Sequence, residues 1–349
     1  MNFVLLAVLL VALWGLCPRR DAEHLCKEQT CAINGFFVLL VFLRHTVDYI
    51  PMGPWDGIFA QINKELDQLI VVPFLFYSGY GIMRSILAKG KAYVSGIPKN
   101  RVFKVWYHFA IAVALYWIVS LLLHKNYAPL RVALSFTGWD SIGNSNWYIF
   151  ATLWMYAFTW LAFTLLPNKH GLAAGLTVAL SVGYILVLQN HKGIWWYDTA
   201  LVYPAGLLYG LYGEKLEKHL TGILPRLLAL AICAGLFALS FHLQEILLLR
   251  QAMAVFFALL VLCITMLVKI SNPVLLFLGK YTFEIYILQR IPMLLLRSVI
   301  PNNYLYLAAG FAASLLVAVG FHKLLQRLDR VIYRKGGKSH DTRTIDVSG

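Results

Sequence analysis

Long apolar runs constrain this chain more than any other feature. FAIAVALYWIVSLLL (109–123) and AMAVFFALLVLCITMLV (252–268) contain no charged residue. A bilayer core about 30 Å thick is crossed by roughly 20 helical residues. The runs are continuously apolar, whereas a closed β-barrel needs short alternating segments. Spans are expected near 2–16, 33–50, 66–84, 103–123, 146–166, 172–189, 198–213, 223–243, 252–268, 280–298 and 304–322. The fold class is therefore all-α, a polytopic integral membrane bundle of about eleven transmembrane helices. At 60% hydrophobic and 13% charged, the composition agrees.

The net charge of +14 first suggests nucleic acid as a partner. Its distribution excludes that reading. Most of the 30 Lys and Arg fall in alternate loops and in the C-terminal tail. This asymmetry puts the N-terminus outside and the C-terminus in the cytoplasm. The basic surface meets anionic lipid headgroups of the bilayer. The first segment reads as a retained span rather than a signal peptide. It has no basic n-region and no A-x-A site, and Arg19-Arg20 follow it. Five cysteines at these spacings specify neither a disulfide framework nor a zinc site, and no metal is expected. Pro and Gly mark loops at 51–57, 95–100 and 167–171, and a larger outward loop covers 124–145. The organisation is an extra span and loop (1–25), one membrane domain (26–325) and a basic, disordered cytoplasmic tail (326–349).

Ionisable groups inside spans cost about 2.5–3.5 kcal/mol each on insertion, so each requires a reason. The run INGFFVLLVFL ends in Arg44, His45 and Asp48. Residues three and four apart share a helix face, so Asp48 can meet either Arg44 or His45. One pairing is a self-neutralising ion pair. The other fixes the His45 tautomer and leaves the second ring nitrogen free as a base. Asn34 lies eleven residues earlier, about 16 Å down nearly the same face. Arg101 and Lys104, at i and i+3, form a basic mouth suited to phosphate, or simply anchor the helix at the interface. In FYSGYG (76–81), Ser78 and Tyr80 accompany small residues that allow close helix packing or leave room for a ligand. Trp147 belongs to an interfacial aromatic belt or stacks on a sugar. Glu284, Gln289 and Arg290 share one span, and Arg290, near the midplane, needs a carboxylate such as Glu284 or Asp48, or an anionic ligand. A polar cavity shared by the second, fourth and tenth spans is expected.

Five motifs, DQLIVVPFLFYSGYGIMRS, IPKNRVFKVWYHF, SNWYIFATLWMY, WWYDTALVYPAGLLYG and GKYTFEIYILQRIPM, occur in the order found in the acyltransferase-3 family. The chain resembles that family from about residue 26 to about residue 325. The resemblance implies a multi-pass enzyme of the bacterial cytoplasmic (inner) membrane. Such an enzyme moves an acyl group, usually acetyl from acetyl-CoA, to a hydroxyl of an extracytoplasmic glycan or glycolipid. The family signature of a basic residue, ten residues and a histidine falls on Asn34 and His45, with Asn in place of the basic residue. The family's RxxR falls on Arg101 and Lys104, where lysine lacks the guanidinium fork. Many members have histidine where Gln289 stands, and glutamine cannot act as a base.

The resemblance thus implies acyl-CoA as donor, held by Arg101, Lys104, Arg84 and Asn34. His45 is the general base, oriented by Asp48, with an acyl-histidine relay as the variant. Arg290 or Gln289 steadies the oxyanion. Glu284, Arg44, Ser78, Tyr80 and Trp147 are further substrate-side candidates. Two other functions compete: a transporter or flippase of a lipid-linked glycan, which would also want midplane charges, and a membrane scaffold or sensor, which leaves His45, Arg290 and the basic mouth unexplained.

Overall fold

Helices form along each apolar run and end where proline, glycine or polar residues interrupt it. In the computed structural model, which describes residues 1–19, 23–270 and 272–333, the first half contains α1 (Asn2–Leu13), α2 (Lys27–Thr46), α3 (Gly57–Leu66), α4 (Val72–Lys89), α5 (Lys91–Ile97), α6 (Lys104–Leu122), α7 (Pro129–Ser135) and α8 (Trp147–Leu165). The second half contains α9 (His170–Leu188), α10 (Val202–Glu217), α11 (Ile223–His242), α12 (Leu247–Leu267), α13 (Pro273–Lys280), α14 (Thr282–Leu288), α15 (Arg290–Leu296) and α16 (Asn303–Tyr333). A two-stranded antiparallel ribbon, β1 (Leu16–Pro18) with β2 (Val268–Ile270), ties the first connection to the end of α12.

Among the described residues, seven helices are long and apolar enough to cross a membrane: Gly57–Lys89, Lys91–Leu122, Trp147–Leu165, His170–Leu188, Ile223–His242, Leu247–Leu267 and Asn303–Tyr333. The chain is thus an all-helical, multi-pass membrane bundle. Outside that set lie α2, which carries Asn34, Arg44 and His45, the 16-residue α10, and the interrupted run 273–296. The expected first span is shorter than its apolar run. Only Asn2–Leu13 is helical, about 18 Å at 1.5 Å per residue. The chain then turns at Gly15, with φ at 75°, into β1.

Three other expectations are corrected. The segment 95–100 is not a loop, because α5 runs through a π-helical turn, Pro98–Phe103, straight into α6. Pro98 has no N–H to give, and the wider turn absorbs the missing bond. The predicted disordered tail does not start at 326. Residues 326–333 continue α16, with Asp329 paired to Lys104 at 2.8 Å, and residues 334–349 lie outside the described part of the chain. The predicted span 280–298 is interrupted at Gln289, between α14 and α15. Pro292 cannot donate to the carbonyl four residues back, so the ladder loosens there.

Lipid offers helices no hydrophobic reason to associate, so close contact must come from shape. The α4–α10 crossing shows how. A Cβ on Gly79 would overlap the Tyr203 carbonyl, and one on Gly206 would overlap the Phe76 carbonyl. The two backbones therefore touch directly, and close packing explains Gly79 of FYSGYG, whereas a Cβ on Gly81 would meet nothing within 4 Å. The α2–α13 pair repeats the device with Gly35 against Leu275 and Gly279 against Cys31. This second crossing locks α2, the helix that carries Asn34 and His45.

Candidate functional site

Helix α2 presents polar groups at two depths, and each depth opens into its own cavity. Asn34, buried, lines a cavity of about 170 Å³ together with Ser78, Lys104, His108, Glu284, His322 and Asp329. His45, one position from the end of α2, lines a larger cavity of about 620 Å³ with Arg44, Asp48, Asp67, Asn144, Trp147 and Arg290. A single shared polar cavity was expected. Instead there is a basic-end cavity and a histidine-end cavity, with Tyr286 lining both.

At the histidine end, the partner of His45 is Gln289. The Gln289 amide nitrogen lies 2.8 Å from His45 Nδ1, and the amide is fully buried. The break after α14 puts this side chain against the end of α2. Asp48, assigned above to orient His45, does something else. Its carboxylate accepts from Arg290 at 2.9 Å and pairs with Arg44 at 3.8 Å, while Arg44 also reaches Asp67 at 3.5 Å. The result is a chain of alternating charge, Asp67–Arg44–Asp48–Arg290, along the cavity wall. Asp48 is thus the carboxylate that Arg290 requires, and its two guanidinium partners hold it away from the imidazole. Gln289, proposed above for the oxyanion, is engaged with the ring instead. Trp147 lines this cavity, joined by Trp195, which is 49% exposed at its rim.

At the basic end, Glu284 does not face Arg290. It accepts from or pairs with His322 Nδ1 at 2.7 Å, and Gln326 sits 2.9 Å from His322 Nε2. Asp329 joins Lys104 at 2.8 Å, His108 Nε2 at 3.1 Å and the Tyr107 hydroxyl. Ser78 Oγ shares a hydrogen bond of 2.8 Å with the Tyr156 hydroxyl. The Asn34 amide oxygen is buried without a partner.

The other predicted groups are not gathered here. Arg101 and Lys104 do not point one way, because the π turn between α5 and α6 alters their helical register. Arg101 Nε donates to the Tyr93 hydroxyl at 3.1 Å and lines a separate pocket with Lys89 and Asn100, while only Lys104 lines the basic-end cavity. Arg84 pairs with Glu214 at 2.6 Å, and Arg84 and Tyr80 line a different pocket beside Tyr209. Sequence reasoning missed His108, His322 and Asp329. Their signal was present in α16: His322, Gln326 and Asp329 follow at spacings of four and three, one polar face in an apolar helix. Among the described residues, no group of three or more His, Cys, Asp or Glu is placed to hold a metal ion.

The site is thus two polar cavities inside a helical membrane bundle, one lined by His45 and the other by Asn34, with Tyr286 lining both. The acyltransferase-3 family model, described as an acyltransferase domain, matches residues 32–323. The chain belongs to that family, and the protein is a multi-pass membrane acyltransferase. This membership sets acyl transfer in place of the transporter and scaffold alternatives. Comparison with curated proteins and with solved structures gives no match.

Proposed function

We propose that the protein moves an acyl group, acetyl in the simplest case, from cytoplasmic acyl-CoA to a hydroxyl of an extracytoplasmic glycan or glycolipid. The observation that carries this reading is His45 lining the 620 Å³ cavity, with a second cavity that holds Lys104 and Lys280 beside Glu284 and Asp329 and shares Tyr286 with the first. In this reading the basic end faces the cytoplasm of a bacterial inner membrane, with the N-terminus of the roughly eleven-span bundle outside. Lys104 neutralises donor phosphate, and Asn34 offers its unpaired amide oxygen to the amide N–H groups of the donor arm.

The acceptor hydroxyl enters the histidine-end cavity. Its proton passes to His45 Nε2 as the oxygen attacks the thioester carbonyl. The carbon–sulfur bond breaks, and the imidazolium returns the proton to the departing CoA thiolate. Arg290 donates to Asp48 and lines the cavity, where its guanidinium charge steadies the tetrahedral oxyanion. Gln289 sets the tautomer. An amide can present either end to the ring. The structure sets the amide nitrogen against Nδ1; base catalysis at Nε2 requires the amide turned over, so that its oxygen accepts from Nδ1–H and Nε2 carries the lone pair.

The test is the purified protein in lipid nanodiscs with acyl-labelled acetyl-CoA and a glycan fraction from the producing cell envelope. Label should appear in glycan, with free CoA released in equal amount. Release of neither product, with the protein folded, contradicts the donor assignment.

A further inference from the structure

Tyr286 is common to the two cavities, and it does not stand alone. Its ring packs edge-on against Tyr148, with centroids 5.1 Å apart at 61°, and lies 6.3 Å from the His45 ring. Tyr148 lines the basic-end cavity and meets Phe74 edge-on at 6.2 Å. Tyr286 is 3% exposed and Phe74 is 6% exposed. Three rings from α14, α8 and α4 therefore form one layer. On one side are Lys104, Asn34 and the paired histidines. On the other are His45, Asp48 and Arg290.

We propose that the Tyr148–Tyr286 pair is the acyl-selecting aperture of the enzyme. The inference rests on the acyl-CoA reading above. A donor whose charged part stays among the basic groups must bring its carbonyl carbon past these rings to reach an oxygen activated by His45. Tyr286, which lines both cavities, meets Tyr148 of another helix ring edge to ring. Rings held edge-on part by side-chain rotation, without a movement of the helices that carry them. A two-carbon acyl group needs a small parting. Each added methylene needs a wider one, and an apolar fit discriminates by about 10- to 200-fold per methylene at best. Between turnovers the closed rings keep acceptor-side water from the thioester and separate the ionisable groups of the two cavities.

Two measurements on the full-length protein test this. The first compares acetyl-CoA with hexanoyl-CoA. Tyr286→Ala is expected to shift the kcat/KM ratio toward hexanoyl by at least about tenfold and to raise acceptor-independent hydrolysis. Tyr148→Phe, which keeps the ring, should leave the ratio near wild type. An unchanged ratio in Tyr286→Ala overturns the proposal. The second measurement needs no turnover. Thr152, which lines the basic-end cavity, is changed to cysteine in a chain whose five native cysteines are replaced by alanine. A small charged methanethiosulfonate is then applied to sealed vesicles from either face. Labelling from the basic face alone is expected, and from both faces once Tyr286→Ala is added. Equal labelling from both faces with both tyrosines intact overturns the partition. If the labelling is as expected but no acyl-CoA is turned over, the acyl-CoA reading fails and acyl selection with it, and the partition alone stands.

Discussion

Gln289 and His45, 244 positions apart in the chain, meet at 2.8 Å where the α14–α15 break faces the last turn of α2. A buried amide with one end on an imidazole decides which ring nitrogen carries the proton. Glutamine at this position cannot take a proton, but its amide reaches the ring that can.

Removing that contact should slow the chemical step. Gln289→Leu fills similar space and leaves Nδ1 unbonded. One hydrogen bond of about 1.4 kcal/mol corresponds to roughly a tenfold loss in kcat. Gln289→Glu, whose carboxylate accepts from Nδ1–H, should restore most of that loss. Steady-state kcat for the two variants checks this, and equal rates would remove the amide from the mechanism.

Lys104 and Arg101 should behave differently although they look like one motif. Lys104→Ala removes the ammonium group that lines the basic-end cavity beside Asp329. It should raise KM for acyl-CoA by about tenfold, a loss in the range for a charge-assisted contact, with KM for the acceptor unchanged. Arg101→Ala removes a group held by Tyr93 in another pocket and should change that KM less. Initial-rate kinetics over both substrates separates the two.

Asp48→Asn should affect the site through its arginines. The wild-type carboxylate holds Arg290 at 2.9 Å and Arg44 at 3.8 Å. A neutral amide leaves Arg44 with Asp67 and frees Arg290. The expected result is a lower kcat that depends on ionic strength, since partly exposed charges are screened by salt. A kcat that falls without any change in salt dependence points to another role for Asp48.

The glycine contacts predict a stability difference. Gly206→Leu forces a side chain into the Phe76 carbonyl across the α4–α10 crossing, whereas the exposed Gly175 on α9 has open space around it. Overpacking costs about 1–3 kcal/mol and often more where backbone is the obstacle. Thermal unfolding in detergent should show Gly206→Leu clearly destabilised and Gly175→Leu near wild type.

The helices of the bundle were legible because apolar runs of this length have one solution in a membrane. Their interruptions were less so. Pro98 looks like a loop signal, yet a π turn carries the helix through it, and the consequence is the separation of Arg101 from Lys104. His45, Asn34 and Arg290 were found because charge or polarity in an apolar span is costly. Asp48 was among the carboxylates expected for Arg290, but Gln289 as the partner of His45 was not expected, since helix spacing reports contacts within one helix and is silent about those between helices. Asp48 satisfied two spacing rules at once, and only the position of α15 decides that Arg290 takes it. His322 and Asp329 escaped notice because a basic terminal segment hides a polar helical face in its own sequence.

The central claim, that His45 performs the proton transfer, is tested most directly by single-turnover transfer from acyl-labelled acetyl-CoA with His45→Ala in nanodiscs. The account predicts a loss of about 100-fold or more in the transfer rate, with donor binding retained. A His45→Ala protein that transfers acyl groups at the wild-type rate would contradict it.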